Sequence, residues 1–107
     1  MNTITIENVT FGEGCKTFII AEGCDNHMGN METAKEMCRQ AKLAGADCIK
    51  FQHHIPDEEM LRDIPMSSNF DIPLYDFLKL HALTLDQHIE LKNYLQGNRN
   101  FIFMYAI

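Results

Sequence analysis

The chain has 107 residues, 46% of them hydrophobic and 22% charged, with a formal net charge of -6. That length suits one domain with a packed core, and the composition excludes a disordered chain. Nine basic residues scattered along the sequence exclude a nucleic-acid or anionic-membrane partner, because phosphate backbones and headgroups need clustered Lys and Arg.

No apolar run approaches the roughly 18 residues of a membrane span. The start, Met1-Asn2-Thr3-Ile4-Thr5-Ile6-Glu7, has neither the basic opening nor the long apolar core of a secretory signal. Cysteines at 15, 24, 38 and 48 show no C-x-x-C spacing, so neither a zinc nor a redox site is indicated. Cys38 falls on an apolar helix face and Cys48 within a strand, where a free thiol acts as a small hydrophobe. A reducing, cytoplasmic location is the expectation.

In chain order, residues 3–9 alternate, Gly12-Glu13-Gly14 is a turn, and 16–21 is apolar again. This predicts a β-hairpin leading into a first buried strand. Asn30 suits a helix N-cap. Ala34, Met37, Cys38, Ala41 and Ala44 then recur at three- and four-residue intervals, which predicts one buried helix stripe. Gly45 suits the left-handed position after the helix. Residues 46–52 are a continuous apolar strand, as expected when both faces are covered. Residues 16–52 therefore read as a βαβ unit with parallel strands. From Pro56 to Pro73 a long loop is predicted, with a helical turn at 57–61. A short helix at Leu74–His81 follows, then a capping box Thr84-Leu85-Asp86-Gln87 opening a helix over about 85–95. Phe101-Ile102-Phe103-Met104 starts a third strand.

Two strands end in polar groups: Phe18-Ile19-Ile20-Ala21-Glu22 and Ala46-Asp47-Cys48-Ile49-Lys50-Phe51-Gln52. Catalytic groups of βα-repeat enzymes sit where strands end. Ile20-Ala21-Glu22 with Asn26-His27-x-Gly29 makes one motif, and Gly45-Ala46-Asp47-x-x-Lys50-x-Gln52, the later pair Asn69 and Tyr75, and Ala82-Leu83-Thr84-Leu85-Asp86-Gln87-His88 make three more, four in order. On these the chain resembles the sialic acid (N-acetylneuraminate) synthase family from about residue 4 to 95. It departs from the family at Gly23-Cys24-Asp25, where the family has Ile-Gly-hydrophobic, and again near the C-terminus.

The resemblance implies an α/β fold: the N-terminal portion of a TIM-type (β/α)8 barrel, with the hairpin, two complete strands and a third. It implies condensation of phosphoenolpyruvate with N-acetylmannosamine or a related N-acetylated amino sugar, releasing phosphate. Such chemistry needs a cation for the phosphate or carboxylate, groups to orient the sugar, and a divalent metal, Mn or Mg. By resemblance Lys50 binds phosphoenolpyruvate. Glu22 contacts the sugar or handles a proton, with Lys50 as its partner on the neighbouring strand. Gln52 offers the sugar a donor and an acceptor, and Asn69 does the same from the long loop. Asn26 and His27 line the pocket, His27 also ordering its loop, while His53 and His54 flank the loop after the second strand. The histidine spacing matches no metal-ligand pattern. In the family the metal histidines come from later strands, so no ligand is expected in this chain. Full-length relatives are expected to be homodimers.

A (β/α)8 barrel takes about 250 residues, so residues 1–107 are expected to be a truncated piece of the barrel domain, inactive alone. After Tyr94 the family runs into a strand reading roughly Phe-Leu-Cys-Thr-Pro-Phe. With assumed codons TTT ATG TAT GCC ATT for Phe103–Ile107, a one-base shift reads Leu-Cys-Met-Pro-Phe. A frameshift near 95–100, placing 96–107 out of frame, is the expectation. Two other readings stand: another lysine-using βα-barrel aldolase acting through a Schiff base on Lys50, and a small non-catalytic α/β module binding through its open sheet edge.

Overall fold

The computed structural model describes residues 2–6, 8–63 and 71–95, and the backbone of 102–106. Strands β1 (Thr3–Ile6) and β2 (Val9–Gly12) form a separate two-stranded antiparallel ribbon. Its register pairs Thr3 with Gly12 and Ile6 with Val9. The chain therefore reverses between Ile6 and Val9, and not at Gly12-Glu13-Gly14 as the sequence suggests. Gly12, at φ +132, closes the ladder, since a Cβ there would lie 2.5 Å from the Asn2 carbonyl oxygen. The second turn, with the Cys15 N–H donating to Gly12 C=O at 3.1 Å, carries the chain away from the ribbon.

The main sheet has the order β3-β4-β5, with β3 Ile20–Cys24, β4 Cys48–Gln52 and β5 Ile102–Ala106. Both pairings are parallel, as a βαβ unit requires. The central strand β4 buries Cys48, Ile49 and Phe51, in line with its continuous apolar sequence. The first strand differs from expectation. It starts at Ile20, and Ile19 and Ile20 remain 51% and 40% exposed, because β3 has a neighbour on one side only among the described residues. The Gly-Ala-Asp motif explains how β3 is aligned. The Asp47 carboxylate accepts from the Ile19 N–H at 2.9 Å, and Ile19 C=O accepts from the Asp47 and Cys48 N–H groups.

Helix α1 (Met31–Leu43) begins where Asn30 Oδ1 accepts from the Thr33 N–H at 3.1 Å. It ends in a Schellman arrangement: the Gly45 N–H donates to Lys42 C=O, the Ala46 N–H donates to Ala41 C=O, and Gly45 sits at φ +92. Of the apolar stripe, Ala34 and Cys38 are fully buried, Met37 and Ala41 pack against the core, and Ala44, at the cap, is exposed. The helical turn after β4 is α2 (Pro56–Glu59). Helices α3 (Leu74–His81) and α4 (Leu85–Leu95) follow. The capping box forms as read, with the Gln87 side chain accepting from the Thr84 N–H at 2.8 Å and Thr84 Oγ1 accepting from the Gln87 N–H at 3.2 Å. Ala34 and Cys38 of α1, Leu91 and Leu95 of α4, Leu83, Ile49 and Phe51 make one core. Lys35 and Glu90 bridge the two helices at 2.9 Å. All four cysteines are free, and burial pushes the Cys38 and Cys48 thiols up to about 12 and about 11. No helix among the described residues is long and apolar enough to cross a membrane.

Two predictions follow from the core. A Cβ at Gly23 would meet the Phe51 ring at 2.8 Å and 3.0 Å. Gly23→Ala should therefore destabilise the fold by about 1–3 kcal/mol, read as a lowered denaturant midpoint; an unchanged midpoint would refute the contact. Second, His88 is fully buried, and desolvation, helped by His53, His27 and His54, pushes it down to about 4 from 6.5. The unfolded chain then takes the proton first, so stability is full above pH 6.5 and is lost as pH falls towards 4. Between pH 6.5 and 4.5 this group should cost about 2 kcal/mol, and His88→Phe should flatten that part of the pH–stability curve.

Candidate functional site

The site grows from the pleat of β4. Ile49 and Phe51 turn into the helix-covered core, so Lys50 and Gln52 project from the other face. Glu22 is the register partner of Lys50 on β3, and Lys50 Nζ lies 2.8 Å from Glu22 Oε1. The pair is part-open, the side chains being 28% and 54% exposed. A hydrogen bond to Glu22, and then its charge, raises the Lys50 ammonium above its ordinary range. Lys50 therefore stays a cation, available to an anionic ligand.

Immediately after Glu22 the β3–β4 register slips, so that Cys24 pairs with Phe51. Gly23 lets the backbone sit on the Phe51 ring, and Cys24 takes φ +49. This is a β-bulge at the strand's polar end, a device that re-aims side chains. Cys24 Sγ reaches Glu22 Oε2 at 3.9 Å.

The loop from Asp25 to Asn30 is a chain of tight turns, with Met28 at φ +54 and Gly29 at φ +77. His27 Nδ1 accepts from the Gly29 N–H at 2.9 Å, which puts the neutral ring's proton on Nε2. His27 is 1% exposed, and burial lowers its pKa. It orders the loop as expected. The expectation that it lines an open pocket is corrected, because the ring is enclosed beneath the loop at 5.8 Å from Phe51. Asn26 is exposed, its N–H donating to Gly23 C=O at 3.2 Å. The loop rests on the end of α3, where His81 Nδ1 donates to Met28 C=O at 3.1 Å.

His54 follows Gln52 on the same side of the chain. Its Nε2 lies 2.9 Å from both Gln52 Oε1 and Asp25 Oδ2, and its Nδ1 lies 2.9 Å from Glu59 Oε1. His53 packs on His88 at 4.7 Å between ring centroids. Sequence reasoning placed His53 and His54 beside the loop but missed Asp25, Glu59 and His88. The one local signal was Glu59, a carboxylate in the first turn of α2 that accepts from the Ile55 N–H at 2.7 Å. Asn69 lies outside the described residues. Asp57 of α2 accepts from Tyr75 Oη, from Lys79 Nζ at 2.8 Å and from Arg62 at 3.4 Å. Bonds from Lys79 and Tyr75 pull the Asp57 carboxyl down to about 2. Tyr75, which the sequence pairs with Asn69 in a motif, is thus a clamp on α2. Among the described residues no group of three or more His, Cys, Asp or Glu could hold a metal ion. The described residues do not fit a divalent metal.

Comparison with known proteins gives this arrangement a setting. The NeuB family model matches residues 37–105. The pseudaminic acid synthase of Campylobacter jejuni is 40% identical over 73 residues, covering 68% of this chain and 21% of that protein. Human N-acetylneuraminate-9-phosphate synthase is 60% identical over 35 residues, 33% of this chain and 10% of that one. The crystal structure of an N-acetylneuraminic acid synthetase from Leptospira borgpetersenii, in complex with citrate, superposes with a TM-score of 0.80 at 27% identity, over 97% of this chain and 33% of that one. The chain spans about a quarter of the length of the curated relatives that match most of it. With two parallel strands delivering Glu22 and Lys50 to one point, and a family model matching most of its length, the chain belongs to the NeuB family, the sialic acid synthases.

Proposed function

We propose that these residues form the substrate-facing sector of a (β/α)8-barrel synthase that condenses phosphoenolpyruvate with an N-acetylated amino sugar to a nonulosonic acid, releasing phosphate. The observation that carries the reading is the Lys50–Glu22 pair, 2.8 Å apart at the ends of adjacent parallel strands. In this reading the phosphate or carboxylate of phosphoenolpyruvate takes over Lys50 as counter-ion. Glu22 is then released to accept from sugar hydroxyls or to hold a proton. Exchange of one anion for another keeps the ammonium paired throughout, which limits the desolvation cost of closing the site. The methylene carbon C3 of phosphoenolpyruvate bonds to the sugar aldehyde carbon, whose oxygen takes up a proton; water adds at the phosphate-bearing carbon C2, and phosphate leaves as that carbon becomes the keto group. Lys50 steadies the charge, and Gln52 and Asn69 orient the sugar. The divalent metal of this chemistry would be held by residues outside those described.

The persistent charge on Lys50 disfavours the Schiff-base alternative, which needs a neutral amine. Catalysis is proposed for the completed barrel, with the 107 residues alone inactive. The test joins residues 1–95 of this chain to the remainder of a NeuB relative and follows phosphate release from phosphoenolpyruvate with N-acetylmannosamine or a di-N-acetylated hexose. Release should require both substrates and fall about a thousandfold in Lys50→Met. Undiminished release in that variant, or a borohydride-trapped adduct on Lys50, would overturn the reading.

A further inference from the structure

We propose that His54 is a positioning residue that, held between Asp25 and Glu59, fixes the Gln52 carboxamide with its carbonyl turned inward and its NH2 group presented at the strand-end site. The proposal rests on the synthase reading only for the identity of what Gln52 meets; the clamp itself is geometric.

The chemistry of the contacts determines the orientation. His54 Nε2 lies 2.9 Å from Asp25 Oδ2. A carboxylate oxygen offers only lone pairs, which would repel a bare ring nitrogen at that distance, so Nε2 carries a hydrogen although the contact is one of charge and not an aligned hydrogen bond. Gln52 meets the same nitrogen at 2.9 Å. An amide NH2 facing that N–H would place donor against donor, so the atom there must be the carbonyl oxygen, and a flipped amide is excluded. On the other side of the ring, Nδ1 lies 2.9 Å and 3.1 Å from the two oxygens of Glu59, which again can only accept.

Each member of the clamp is itself held. Glu59, the last residue of α2, accepts from the Ile55 N–H at 2.7 Å, which folds its carboxylate back onto the residue before the helix. Asp25 belongs to the turn-rich loop after β3, where its C=O accepts from the Met28 N–H at 2.9 Å. The side chains of His54 and Asp25 are 17% and 15% exposed, so water competes little for these bonds. The clamp ties together the loop after β3, the end of β4 and α2. With its oxygen engaged, Gln52 offers the site two N–H donors. That suits a ligand oxygen, such as a sugar hydroxyl or an N-acetyl carbonyl, and disfavours a ligand donor. This narrows the role expected of Gln52, which was both donor and acceptor.

The test uses the 15N-labelled full chain. The Gln52 side-chain amide should show an order parameter near that of rigid backbone, about 0.85, falling below about 0.6 in His54→Ala while the Phe51 backbone amide is unchanged. Long-range 1H–15N spectra should show His54 Nε2 protonated. A Gln52 amide equally rigid or equally mobile in both proteins, or an unprotonated Nε2, overturns the proposal. Should His54→Ala not fold, Asp25→Asn and Glu59→Gln carry the same measurement, each expected to loosen the Gln52 amide, and no change in either overturns it. In the barrel-completed protein, His54→Ala should raise the KM for the sugar about tenfold, with kcat and the KM for phosphoenolpyruvate within about twofold. Both KM values rising together, with a lowered thermal midpoint, would mark a merely structural role and overturn the positioning claim. If the unmutated protein releases no phosphate, the synthase reading fails, and the amide measurement still decides the clamp.

Discussion

The pleat of one strand governs the rest. Ile49 and Phe51 are committed to the core shared with Ala34, Cys38 and Leu91, and a strand alternates its faces residue by residue. Lys50 and Gln52 have no choice but to face the other way. A one-residue slip would send Phe51 to the site and Lys50 into the core, and burying an unpaired ammonium among apolar helices costs far more than any turn or cap could offset. The Asp47 carboxylate, bonded to the Ile19 N–H, holds the register at the strands' other end.

The same Phe51 shapes the neighbouring strand. Its ring occupies the space a side chain at position 23 would need, so the backbone of β3 passes over it, bulges and releases Cys24 into a left-handed conformation. The loop that follows is not left to its own turns. His81 holds it from α3, His27 from beneath, and His54 from the end of β4 through Asp25. Three histidines far apart in sequence thus constrain one short loop, which makes the site more rigid than a polar, turn-rich segment implies.

Charge is arranged in layers. The cation Lys50 is paired with a carboxylate and part-open, and His54 is set between two further carboxylates. Beneath them, His27 and His88 are driven towards neutrality by burial. A neutral floor under a charged rim keeps the field of Lys50 directed at an incoming anion rather than adding competing positive charge inside the fold.

Local signals were sufficient for most elements. The Asn30 cap, the glycine after α1, the Thr84–Gln87 capping box, the β4 strand and the parallel βαβ unit all rest on neighbours within a few residues, where short-range sterics and hydrogen bonding are decisive. The candidate pair Glu22 and Lys50 was legible for the same reason, since each ends an apolar run. The position of the hairpin turn was not, because Gly12-Glu13-Gly14 is a turn by composition and only pairing with β1 shows that it lies outside the ribbon. Nor was the enclosure of His27, whose burial depends on Phe51 and on the end of α3. The sequence by itself thus determined the element order, the parallel βαβ unit and the two charged residues of the site. Only the tertiary structure decided how Asp25, Gln52, His54 and Glu59 meet, and that Tyr75 serves Asp57, because these contacts join residues whose spacing along the chain follows no helix or strand period and exist only once the loops are packed together.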